Sequence, residues 1–191
     1  MPRWQPNARE RLERAALELF AEQGYDDTTA DQIAAAAGLN RSTFFRHFRD
    51  KREVLFGGRD TLAARLAESI ENAPASLTVL EAIEAAFAHV ATDTFAAERR
   101  DLAPRRLAIV ASNPEFRERE LLKRHDITTA VAAALRARGV NEPAATVAAE
   151  LATLTFSRAV AEWAEPGGAE EFPAIAGRVL RELHAAAATL R

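Results

Sequence analysis

The sequence predicts an all-α protein of about nine helices, with a three-helix N-terminal head that carries a helix-turn-helix and a larger helical body. Three observations predict it. Ala, Leu, Glu and Arg, all good helix formers, dominate the chain, and strand signals are scarce. Helix breakers fall at spaced points: Gly24, Gly38, Gly57-Gly58, Pro74, Pro104, Pro114, Gly139, Pro143 and Pro166-Gly167-Gly168. Between them, apolar residues recur at helical spacing. The expected boundary places a head over residues 1–56 and a body over residues 57–191.

The first helix runs from about Asn7 to Gln23, with Leu12, Ala16, Leu19 and Phe20 on one face and Gly24 beyond its end. Thr29 and Gln32 have capping-box spacing and open a short second helix with Ile33 and a run of alanines. Gly38 stops it, where a left-handed residue is wanted, and Leu39 is the expected buried residue of the turn. Asn40 caps a third helix whose first turn carries Arg41, Ser42 and Thr43. Phe44, Phe45 and Phe48 are expected to form the apolar side that anchors it to the first helix.

A fourth helix is expected from about Asp50, with Val54, Leu55, Leu62, Leu66 and Ile70 turned inward and Gly57-Gly58 inside it as either a break or a hinge. Leu80, Ile83, Phe87, Val90 and Thr94 mark the fifth helix, and Leu107, Ile109 and Val110 a shorter one before Pro114. A long helix follows to about Arg138. The final pair spans Pro143–Ala164 and Ala169–Leu190, the first with an apolar face of Val147, Leu151, Leu154, Ala159 and Trp163. Ile175, Val179, Leu183 and Ala187 give the second its face.

Two capped helices around a Gly turn form the common device for placing a helix in the DNA major groove. Local charge agrees. Residues 41–52 carry Arg41, Arg46, Arg49, Lys51 and Arg52 against Asp50 alone, although the whole chain has a formal net charge of −3. Positive charge therefore sits where a phosphate backbone needs it, and double-stranded DNA is the expected partner. Because one such head reads only a few base pairs, a dimer reading two half-sites is expected as well.

The stretch LFAEQGYDDTT followed by IAAAAGLNRSTFFRHFRDK resembles the N-terminal domain of the tetracycline-repressor (TetR) family of bacterial transcriptional regulators, over about residues 8–56. Beyond that, only length and helical character match. The resemblance implies a repressor that holds a palindromic operator and is released by a small molecule. It implies that Arg41, Ser42 and Thr43 face bases or nearby phosphates, with Arg46 beside them. His47, Lys51 and Thr28 or Thr29 would meet the DNA backbone. Position 45 departs from the family: the usual Tyr, with its hydroxyl on a phosphate, is Phe45 here, which leaves its ring to pack either on a DNA sugar or on the domain core. The resemblance also implies homodimerisation through the last two helices and an effector pocket in the body. Phe87, His89, Arg106, Phe116, His125, Phe156 and Trp163 are the candidate lining residues for a partly apolar effector; the alternatives are plain core for Phe87, Phe116 and Phe156, the surface for His89, an exposed ion pair with Asp126 for His125 and the dimer interface for Trp163.

Composition narrows the remaining classes. With no cysteine, the chain has no disulfide framework and no thiolate chemistry. No Gly-rich phosphate loop or nucleophile motif is present, and the four histidines lack the spacing of a metal-binding helix, so neither an enzyme nor a cofactor is expected. No apolar run approaches membrane-spanning length and no signal peptide is recognisable, which predicts a cytoplasmic protein with no membrane partner. The rival reading is a helical scaffold that uses residues 41–52 to bind an acidic protein.

Overall fold

The computed structural model describes residues 8–56, 59–95 and 97–190, and these are helical with connecting turns. Ten α-helices follow in order among the described residues, with no strand. Two compact units result. One contains the N-terminal segment through residue 58 together with Leu102–Arg117; the other contains Arg59–Asp101 and Glu118–Arg191.

The first unit is the head. Its α1 (Ala8–Gln23) buries Leu12, Ala15, Ala16, Leu17 and Phe20. The chain leaves α1 through Gly24, whose φ of 89° is a left-handed conformation that suits glycine. α2 (Ala30–Ala36) opens with the expected capping box: the Gln32 amide donates to Thr29 Oγ1 at 3.2 Å and the Thr29 amide to Gln32 Oε1 at 2.7 Å. Gly38, at φ 65°, makes the turn, and the Arg11 guanidinium donates to the carbonyls of Ala37 and Gly38. α3 (Arg41–His47) starts at Asn40, whose side chain accepts from the Thr43 amide at 2.8 Å. Leu39 is only half-buried, because the turn lies at the edge of the head core.

The head also contains α4 (Glu53–Phe56), α7 (Ala103–Ser112) and the first turn of α8 (Pro114–Ala137). The helix expected from Asp50 onward is described as two, α4 and α5 (Arg59–Glu71). The Gly57-Gly58 pair between them lies outside the described residues, as does the expected first helical residue, Asn7.

The second unit, the body, is built from α5, α6 (Val79–Thr94), a 3-10 turn (Ala97–Leu102, its last residue in the head), the rest of α8, α9 (Glu142–Trp163) and α10 (Phe172–Thr189). Thr78 and Glu81 form a capping box at the start of α6, and Gly139 ends the α8 segment at φ 86°. α10 packs on both α9 and α6, and α5 on α6. At their centre Phe95 stacks on Phe172 with ring centroids 3.7 Å apart, and Phe156 and Trp163 meet Phe95 edge-on. α10 begins three residues later than the sequence suggests, with Glu171 as its N-cap and Pro173 in its first turn, where a missing N–H costs nothing.

The expected apolar face of α9 is corrected. Val147 and Leu154 are 59% and 48% exposed, and Leu151 is half-buried. The inward stripe is instead Ala145, Ala148, Ala149, Ala152, Phe156, Ala159 and Trp163. Small residues let α10 approach closely, so the longer aliphatic side chains are turned outward. No helix among the described residues is long and apolar enough to cross a membrane.

Candidate nucleic-acid interface

α3 is held from behind and open in front. Phe44 and Phe48 are fully buried in the head core, their rings 5.6 Å apart, and fix the helix against its neighbours. Phe45 departs from the expected anchor role: at 45% exposure it lies on the outer side with Arg41, Ser42 and Arg46. The helix period explains this, since one residue beyond a buried Phe44 turns about 100° toward solvent.

The outward groups are ordered before any ligand arrives. Asn40 Oδ1 accepts from Ser42 Oγ at 2.8 Å and from Thr43 Oγ1 at 2.9 Å, in addition to capping the helix. Arg41 Nη1 donates to Asp31 Oδ2 on α2 at 2.7 Å, and its guanidinium lies 5.2 Å from the centre of the Phe45 ring. Sequence reading missed Asp31. The available signal was an acid in the first turn of α2 facing a cation in the first turn of α3 across the Gly38 turn.

The residues expected on the DNA backbone divide into two groups. Thr29 is exposed. Thr28, however, is fully buried, and its hydroxyl donates to Gly24 O at 2.7 Å while accepting from Gln23 Nε2 at 3.2 Å. Lys51 Nζ donates to the carbonyls of Tyr25, Thr28 and Asp26 at 2.6, 2.9 and 3.1 Å and lies 4.2 Å from the Tyr25 ring centre. Both side chains fasten the loop between α1 and α2. His47 is half-buried, with Nε2 shielded from solvent and without a hydrogen bond inside the protein. Arg52 is tied to Glu115 at 2.9 Å and to Asp50 at 3.3 Å, so it adds little net field to the cluster.

The seven effector candidates fall in both units. Phe116 and Arg106 belong to the head, where Phe116 is buried against Tyr25 and Phe56, with centroids 4.6 and 5.7 Å away. Arg106 Nε donates to Leu55 O at 2.9 Å. In the body, Phe87, Phe156 and Trp163 are core residues, the first two with rings 6.3 Å apart. His89 is exposed on α6. His125 is exposed beside an open recess between α8 and α9, shared with Thr128, Thr153 and Ser157. The sequence had suggested one pocket because it does not reveal which segments join which unit.

A capped helix with a buried aromatic back and a polar, cationic front, set behind a Gly turn, defines a helix-turn-helix regulator head. Residues 13–57 match the family model described as bacterial regulatory proteins, tetR family. That match, and the curated relatives below, make the head similar to those of TetR-family transcriptional regulators. The chain is 42% identical over 79 residues to the HTH-type transcriptional regulator TcmR of Streptomyces glaucescens, covering 41% of this chain and 35% of that protein. It is 32% identical over 101 residues to the putative mycofactocin biosynthesis transcriptional regulator MftR of Mycobacterium tuberculosis, covering 53% and 50% respectively. The chain thus spans half or less of the length of these curated relatives. Among solved structures, it resembles Thermus thermophilus FadR, a TetR-family transcriptional repressor in complex with lauroyl-CoA. That likeness has a TM-score of 0.53 and 25% identity, and it covers 92% of this chain and 93% of FadR.

Proposed function

We propose that this chain is a ligand-responsive DNA-binding transcriptional regulator: a repressor that grips a palindromic operator as a homodimer and lets go when a small molecule binds the body. The observation that carries the reading is α3, anchored by Phe44 and Phe48, presenting Arg41 and Ser42 in pre-ordered positions with Arg46 exposed beside them. Pre-ordering lowers the entropy that binding must overcome.

The dimer forms through α9 and α10. Val147 and Leu154 supply exposed aliphatic surface on α9, and the last turns of α10 present Ala185, Ala186 and Ala188 to solvent. Dimerisation supplies the second half-site that a single head lacks. The body is the part of the chain that takes a partly apolar effector, and the lauroyl-CoA held by FadR supports that class of ligand. Effector and DNA are coupled through chain continuity, since α8 starts in the head at Pro114 and continues in the body. Coupling of this kind is reciprocal, so DNA weakens effector binding as much as effector weakens DNA binding.

The test is competition between the intergenic duplex flanking the chain's own gene and a scrambled duplex of equal length, across a salt series. The regulator reading predicts a salt-sensitive preference for the flanking duplex that Arg46→Ala weakens. Equal affinity for duplex DNA and an acidic polypeptide would favour a protein-binding scaffold instead.

A further inference from the structure

Asp31, Arg41 and Phe45 form a small constellation on the outer face of the head. Arg41 Nη1 donates to Asp31 Oδ2 at 2.7 Å, and the guanidinium carbon lies 5.2 Å from the Phe45 ring centre. Stability does not account for it. An exposed ion pair between α2 and α3 contributes little to folding, and Phe45, 45% exposed, meets the core at the Phe44 ring 5.2 Å away while its outer side stays open. What the arrangement does is remove freedom from a long side chain, with a carboxylate on one edge of the guanidinium and a ring beside it. The bond to Asp31 engages Nη1, and Nη2 and Nε carry further N–H donors of the planar fork.

We propose that Asp31 and Phe45 hold Arg41 as a guanine-reading fork, so that these three residues fix one G·C pair in each operator half-site. The inference rests on the DNA-reading function proposed above. Guanine is the base whose major-groove edge offers two adjacent acceptors, O6 and N7, that match a paired guanidinium donor. The Asp31 carboxylate also repels a phosphate and offsets the Arg41 charge. It thereby turns Arg41 from a backbone contact into a base contact. Asp31 is a positioning residue, and Arg41 makes the contact.

The experiment is selection from a randomised duplex pool with the full chain and with Asp31→Asn, Arg41→Lys and Phe45→Leu, followed by binding to a scrambled duplex across a salt series. All three positions are solvent-exposed, and circular dichroism checks that each variant is folded. The unaltered chain should enrich a motif with guanine favoured about tenfold or more at one position per half-site. Each variant should lose most of that preference while the other motif positions persist. Asp31→Asn should also bind the scrambled duplex more tightly, with a log–log salt slope steeper by about one, because the released cation turns to a phosphate. Undiminished guanine preference in Asp31→Asn overturns the positioning role and leaves the regulator reading intact. Uniform loss across the motif overturns it as well. Failure of the unaltered chain to enrich any motif overturns DNA reading itself, and this inference with it.

Discussion

At Lys51 one ammonium is shared among the carbonyls of Tyr25, Asp26 and Thr28 and also faces the Tyr25 ring. A buried or half-buried carbonyl left without a donor loses a hydrogen bond to a charged group, which is costlier than losing a neutral one. Lys51→Ala should therefore lower head stability by roughly 1–3 kcal/mol in urea unfolding, in addition to any effect on DNA affinity. Tyr25 gives a second test. Burial pushes its phenol up to about 12; the nearby Arg52 opposes this, while Asp50, Glu115 and Asp26 reinforce it. Because the folded state favours the protonated phenol, this contribution is complete below the ordinary value of 10.0 and is lost as the pH rises through about 12. Thermal unfolding from pH 9 upward should show a steeper loss of stability in the unaltered chain than in Tyr25→Phe. The roles of Thr28 and Lys51 were not legible in the sequence. A cation in a basic cluster reads as a DNA contact, and nothing local marks the three carbonyls that also surround it.

The elements of the head were the most legible. The Thr29–Gln32 capping box, the Gly38 turn and the Asn40 cap are all local signals, in which a few adjacent residues determine their own backbone. α9 was less legible. Its alanines are apolar enough to face either way, so nothing in the periodicity told Val147 and Leu154 apart from the inward stripe. Close approach by α10 decided it. The outward leucine now has a testable use. If α9 forms the proposed dimer face, Leu154→Glu should raise the dimer dissociation constant by about tenfold or more, as expected for losing one well-buried aliphatic side chain and burying a charge in its place. Sedimentation velocity over a dilution series measures it, and an unchanged monomer–dimer distribution would move the interface elsewhere.

At the scale of the whole molecule, the sequence showed a head and a body but not how α7 and the start of α8 are assigned. Leu102–Arg117 contributes to the head, where Phe116 closes an aromatic group with Tyr25 and Phe56. That pairing joins positions roughly ninety residues apart, and such a long-range choice leaves no local trace in composition or period. The same ignorance scattered the effector candidates across two units. What unites the molecule functionally is the claim that two copies of α3 read DNA together. The measurement that tests this most directly is a hydroxyl-radical footprint of the full chain on the duplex flanking its own gene, repeated with a chain carrying both Arg41→Ala and Arg46→Ala. The account predicts two symmetric protected half-sites that disappear in the double variant while its helical content is retained. A footprint that persists unchanged in the double variant, or one without two-fold symmetry, would contradict it.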